Sequence, residues 1–360
     1  MKHSIRRIIA LFSCSVLSIA TLWASEPVKN IIFLIGDGMG LSSVSMMQLH
    51  NNYSPTIFDK ADNIALQKTY SSDNRVTDSA ASGTALATGF KTNNTMLGMT
   101  PDGTHVESLT ELAKRNGKST GIVVTTYVQH ATPAAFYAHI ASRHEYLTIS
   151  EQLLASSLDV VIGGGMGYFV ERYGDYTTEA IANAGYSLAR TMAQLESHNA
   201  DNRLMALIAD KEVGANSGDY LAHATTKALA ILEERGGENG FVLMVEGSLI
   251  DGMGHGNNAE GQIVEIQGFM KAIEVAVEYA QNHPDTLVVV TADHETGGLA
   301  IVGSNSDFNL SEQGVEFRWA TDGHSAQMVP IYLYGSGAEI INGIMENSDL
   351  GAKLKSLVTE

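Results

Sequence analysis

Six short stretches of the chain are apolar at nearly every position: 30–35 (N-I-I-F-L-I), 121–126 (G-I-V-V-T-T), 158–162 (L-D-V-V-I), 241–245 (F-V-L-M-V), 286–291 (T-L-V-V-V-T) and 329–334 (V-P-I-Y-L-Y). A strand with one wet face alternates apolar and polar residues, whereas a strand covered on both faces has no reason to. The runs are too short for buried helices and most are rich in β-branched residues. Between them the apolar spacing becomes helical, as from Ser108 to Arg115 and from Gly261 to Tyr279. Strands alternating with helices predict an α/β fold: a doubly wound, largely parallel central sheet with helices on both faces. No repeat, heptad run or low-complexity stretch divides the 360 residues, so a single domain over 25–360 is expected.

The first 24 residues fall outside that pattern. Lys2, Arg6 and Arg7 precede an apolar run from Ile8 to about Trp23, with small residues near its end. This is the layout of a secretory signal peptide, cleaved near 20–25, and it predicts a periplasmic or secreted protein. A lipoprotein box at Cys14 is disfavoured, because apolar sequence continues beyond it. Cys14 is the only cysteine, so the exported chain would use no disulfide. Loss of the leader leaves 19 basic against 40 acidic residues, a formal charge of −21. That balance argues against nucleic acid or an anionic membrane as partner. An anionic substrate must then be attracted locally. With 35 Gly and 6 Pro the chain also suits a flexible, cold-active molecule.

Candidate chemistry gathers where the predicted strands end. Asp37 follows the first run, Thr132 lies beyond the second, Glu246 closes the fourth, and Asp293-His294 closes the fifth. In open α/β sheets ligands bind beyond the carboxyl ends of the strands. Asp251 and His255 in D-G-M-G-H, and His324 in D-G-H-S-A, adjoin Gly-rich turns. Taken singly, an Asp after a strand is more often a turn former or helix cap. Their conjunction indicates metal binding. Ser79, in T-D-S-A-A-S-G-T-A at the start of a predicted helix, has no G-x-S-x-G elbow and no S-x-x-K lysine. A serine hydroxyl without an organic base needs another activator, and a metal is the economical one.

Six segments resemble those of alkaline phosphatases and keep the family's order: D-G-M-G (37–40), T-D-S-A-A-S-G-T-A (77–85), H-A-T-P-A-A-F-Y-A-H-I-A-S-R (130–143), V-E-G-S-L-I-D-G-M-G-H (245–255), T-A-D-H-E-T-G-G (291–298) and G-H-S-A (323–326). The resemblance implies hydrolysis of phosphate monoesters through a phosphoserine at Ser79. It implies one zinc ion on Asp251, His255 and His324, and a second on Asp37, Asp293 and His294 beside Ser79. A magnesium ion would take Asp37, Thr132 and Glu246. Arg143 would hold the phosphate, with Asp78 orienting it. Homodimers are common among such relatives.

Two positions depart from the family pattern. His130 stands where some members carry Asp, which puts an imidazole near the third ion and would let zinc compete with magnesium. Gly252 replaces a residue that often contacts phosphate, so weaker phosphate retention and faster product release are expected. The rival readings are a phosphodiesterase or nucleotide pyrophosphatase of the same superfamily, and a non-catalytic exported metal- or phosphate-binding protein. Thr132, Glu246 and Arg143 favour monoesters over diesters, and Ser79 is of no use to a pure binder. A sulfatase would need a C/S-x-P-x-R motif, which is absent.

Overall fold

A computed structural model describes residues 27–214, 218–303 and 314–359. The leader and Cys14 lie outside the described residues. Strands in chain order are β1 (Asn30–Gly36), β2 (Asn63–Lys68), β3 (Ser119–Tyr127), β4 (Val160–Gly164), β5 (Tyr186–Ala189), β6 (Arg203–Leu207), β7 (Phe241–Gly247), β8 (Thr286–Thr291), β9 (Glu295–Thr296), β10 (Ala300–Gly303), β11 (Val315–Arg318), β12 (His324–Ser325), β13 (Val329–Gly335) and β14 (Gly343–Glu346). Ten of them form one sheet in the order β14-β2-β13-β8-β1-β7-β3-β4-β6-β5. All six apolar runs are strands of this sheet.

The sheet is parallel from β8 to β5 and between β14 and β2; β13 alone runs against its neighbours β2 and β8. The chain explains that direction. β12 pairs with β9, just past the carboxyl end of β8, and β13 begins four residues after it. A strand entered from that end by so short a link must run back down the sheet.

The helices are α1 (Leu41–His50), α2 (Ser79–Thr88), α3 (Leu109–Arg115), α4 (Ala131–Ala134), α5 (Tyr146–Ala155), α6 (Met166–Tyr173), α7 (Thr177–Asn183), α8 (Met192–Ser197), α9 (Tyr220–Gly236), α10 (Leu249–His255), α11 (Ala259–Asn282) and α12 (Asn347–Thr359). They cover both faces. Alternate residues of β1 feed opposite cores. Ile31, Phe33 and Ile35 pack with Leu109, Leu153, Phe169 and Leu354 of α3, α5, α6 and α12. Ile32 and Leu34 pack with Met47, Leu229 and Phe269 of α1, α9 and α11. Burying each such side chain contributes about 1.5–3 kcal/mol, which is why β1 is apolar throughout. Local signals set the helix ends. Ser108 and Glu111 form a reciprocal capping box on α3, and the Asp78 carboxylate caps α2 by accepting from the Ala81 amide at 2.9 Å.

Candidate metal and active site

Strands β8, β1, β7 and β3 are neighbours at the middle of the sheet, and the ligand-type residues follow their carboxyl ends. Asp37 comes from the turn after β1, Glu246 from the end of β7, Asp293 and His294 from the turn after β8, and Thr132 from α4 beyond β3. Asp251 and His255 sit one turn apart on α10, a helix despite its glycines. His324 is brought in by the two-residue strand β12, paired with β9. Gly38 (φ +72°) turns the chain where it passes Asp251; a Cβ there would lie 2.9 Å from the Asp251 backbone.

Three groups of side chains place one ligand-type atom each within 4.8 Å of the others: Asp251, His255 and His324; Asp37, Asp251 and His294; and Asp37, His130 and Glu246. Asp293 adjoins the second. Its Oδ1 accepts from the amides of Gly38 (3.1 Å) and His294 (3.0 Å), and its Oδ2 lies 3.2 Å from His294 Nε2. Thr132 Oγ1 is 3.5 Å from Asp37 Oδ2.

The histidines show what the cluster is for. His324 Nδ1 donates to the Thr77 carbonyl at 2.8 Å, and His255 Nδ1 to the Asp322 carbonyl at 2.5 Å. Thr296 Oγ1 spends its proton on Asp251 Oδ1 (2.5 Å), so it accepts from His294 Nδ1 at 3.2 Å. Each ring is thus tied at Nδ1 and turns Nε2 toward carboxylates, the orientation a metal-binding imidazole requires. None of Thr77, Thr296 and Asp322 was legible as a site residue, because an oxygen that merely steers a ring carries no sequence signature.

The acids lack what buried acids need. Asp37 Oδ1, Asp293 Oδ2 and both Glu246 oxygens are buried without a hydrogen-bond partner, a costly state unless a cation answers them. Burial raises Asp37 well above the usual carboxylate range, reinforced by Asp293, Asp251 and Glu246; it lifts Glu246 to about 8 and Asp293 to about 6. Burial would also raise Asp251, but the His255 hydrogen bond and the fields of His294, His255 and His324 outweigh it and hold Asp251 low. His255 rises to about 9, chiefly through its hydrogen bond to Asp251. Burial keeps His294 neutral. Carboxylates and imidazoles so arranged fit divalent cations.

Ser79 is buried at the first turn of α2, its Oγ 3.3 Å from His294 Nε2. At the adjacent residue, Arg143 Nη1 donates to Asp78 Oδ2 at 3.2 Å, and Thr95 N donates to the same oxygen at 3.1 Å. Arg143 Nη2 donates to His130 Nε2 at 3.1 Å, which leaves the ring proton on Nδ1, 4.0 Å from Asp37 Oδ2. Burial, then Arg143, pushes His130 down to about 3. The structure brings every sequence-predicted site residue into this one region.

Fold and site define an α/β protein with metal-ligand side chains clustered at the carboxyl end of its sheet. Known proteins share this fold. A model of the alkaline phosphatase family matches residues 28–312. Alkaline phosphatase 4 of Bacillus subtilis (strain 168) is 31% identical, over 89% of this chain and 87% of its own. The solved alkaline phosphatase of the Antarctic bacterium TAB5 is 36% identical and superposes with a TM-score of 0.85, covering 92% of this chain and 98% of its own. A cold-active alkaline phosphatase from a psychrophilic Shewanella is 31% identical, with a TM-score of 0.84 over 92% of this chain and all of its own. The chain belongs to the alkaline phosphatase family, whose members are phosphoric monoester hydrolases.

Proposed function

We propose that the chain hydrolyses phosphate monoesters by way of a phosphoserine at Ser79, in a site holding two zinc ions and one magnesium ion. Asp251, His255 and His324 would hold one zinc; Asp37, Asp293 and His294 the other. Asp37, Thr132 and Glu246, all oxygen donors, suit magnesium. When bound, the cations supply the positive charge that makes the serine hydroxyl acidic and neutralises the attacking and departing oxygens. Arg143 donates two parallel N–H bonds to the phosphate from a guanidinium held by Asp78. Ser79 Oγ attacks phosphorus with the free amides of the first turn of α2 facing the anion. The Ser–O–P bond forms as the ester P–O bond breaks and the alcohol leaves with a proton. Water then attacks the phosphoserine, releasing phosphate and restoring the hydroxyl.

The observation that carries this reading is three Nδ1-tethered histidines turned toward carboxylates, His255 and His324 toward Asp251 and His294 toward the unpartnered buried oxygens of Asp37 and Asp293 beside Ser79. His130 Nδ1 lies 4.0 Å from Asp37 Oδ2 and groups with Asp37 and Glu246, so an imidazole beside these oxygen donors would let zinc compete with magnesium. A variant of the TAB5 enzyme in which aspartate replaces a histidine has been solved with magnesium in its M3 site. In the same reading the chain is exported after loss of residues 1–24, acts as one catalytic domain and forms a homodimer. No helix among the described residues is long and apolar enough to cross a membrane.

The test compares p-nitrophenyl phosphate with its bis-ester at alkaline pH, with zinc and magnesium, before and after chelation, for wild type and Ser79→Ala. A chelator-sensitive preference for the monoester that the alanine variant loses supports the reading. Preference for the diester would replace it with the phosphodiesterase reading, and no turnover with a plain metal-binding protein.

A further inference from the structure

Where β8 leaves the sheet, two successive carbonyls pass beyond the strand ladder, and side chains from elsewhere take them up. Gln67 Nε2, on β2, donates to the Ala292 carbonyl at 2.8 Å. Ser82 Oγ, on α2, donates to the Asp293 carbonyl at 2.6 Å. Ser82 stands one helical turn after Ser79, so both hydroxyls project from the same side of α2.

Ser82 is itself held. Asn347, the first residue of α12, donates Nδ2–H to Ser82 Oγ at 3.0 Å. The amide cannot turn over, because Lys91 Nζ donates to its Oδ1 at 2.8 Å. Lys91 is fixed in turn by the Tyr70 carbonyl, the Tyr70 ring and Glu346. Ser82 and Asn347 are each 1% exposed. The Ser82 hydroxyl commits its one proton to the Asp293 carbonyl and accepts from the Asn347 amide, so removing Ser82 takes this buried partner from both groups. The helices carrying Ser82 and Asn347 touch through backbone: a side chain at Gly351 of α12 would run into the Ala85 and Leu86 carbonyls of α2.

We propose that Ser82 and Asn347 are positioning residues for the cation-binding pair Asp293 and His294. The C-terminal helix holds the Ser82 hydroxyl, the hydroxyl holds the Asp293 carbonyl, and the distance between the Ser79 nucleophile and its neighbouring ligands is set by that chain. The inference rests on the reading that Asp293 and His294 hold a metal ion.

The experiment strips wild type, Ser82→Ala, Ser82→Thr, Asn347→Ala and Leu354→Ala with a chelator. Each is titrated with zinc below its own melting midpoint. Leu354 is fully buried on α12, and its apolar side chain makes no hydrogen bond. Ser82→Ala and Asn347→Ala should weaken zinc binding tenfold to a hundredfold, the usual cost of removing a group that orients a ligand. Ser82→Thr, which keeps the hydroxyl, should recover most of the loss. Leu354→Ala should lower the midpoint and leave zinc affinity unchanged. Wild-type affinity in both Ser82→Ala and Asn347→Ala would overturn the inference. So would an equal loss in Leu354→Ala, which would make the effect one of general stability. Failure of stripped wild type to bind zinc would overturn the metal reading itself, and this inference with it.

Discussion

Gly252 follows Asp251 on α10, and a Cβ built there would meet nothing within 4 Å. A side chain at this exposed position would therefore meet no steric obstacle. Gly252→Lys should tighten inhibition by inorganic phosphate about tenfold, the effect of about 1.4 kcal/mol; an inhibition constant equal to wild type would refute the idea that this glycine speeds product release. A second expectation concerns protons. Without cations, Glu246 titrates near 8 in the fold against an ordinary 4.5, and His255 near 9 against 6.5. Both hold protons more tightly folded than unfolded, so stability present at low pH is lost as pH rises through those values. Cations must displace the same protons, so their binding tightens as pH rises. The melting midpoint of stripped protein should fall between about pH 5 and about pH 9, while the gain on adding zinc grows. A gain independent of pH would contradict this.

The segment from α4 to Arg143 carries both Thr132 and Arg143, and His139 pins it. Its two ring nitrogens face acceptors, the Gly98 carbonyl at 2.7 Å and Glu111 Oε1 at 2.9 Å, so the bound ring is a cation. The Glu111 hydrogen bond raises His139 despite burial; burial works against Glu111, but His139 and the Ser108 amide lower it. The histidine's contribution is complete below its ordinary 6.5 and lost at higher pH, and the glutamate's is complete above 4.5 and lost at lower pH. The pair therefore stabilises most between those values. His139→Gln should cost about 1 kcal/mol there, allowing for screening at a partly exposed site, and less near about pH 9. Urea unfolding at both pH values measures the difference; equal costs would refute it. None of this was legible beforehand, nor were β2, β5, β6 and β14. Those strands are short, and N-I-A-L-Q-K or G-I-M-E carries too few apolar positions to set a period. The long central strands were legible because β1 and β7 are buried at every residue.

At the scale of the whole molecule, the ligand types announced the site and the scaffolding types did not. Asp37, Asp293-His294 and His324 stand out together, because so many carboxylates and imidazoles gathered at strand ends and Gly-rich turns are unexpected of scattered surface charges. Ser82, Gln67 and Thr296 do equally specific work with residue types found everywhere. The direction of β13 was hidden too, since an apolar run has no polarity until its connections are known. With 35 glycines against 6 prolines and cores that are otherwise ordinary, the expected melting midpoint lies at or below the lower part of the ordinary range of about 45–65 °C. Calorimetry of the metal-loaded protein decides it, and a midpoint above about 65 °C would count against cold adaptation.

The cluster's contributors run from Asp37 to His324. Its first and last members are separated by most of the chain, yet they meet only where four adjacent parallel strands end. Such pairings close long loops and form slowly. No growing chain owns a binding centre until nearly its whole length has been made. Metal capture is then a terminal event in the protein's life history, drawing on whatever ions surround the finished fold and acting as the final check that it is finished.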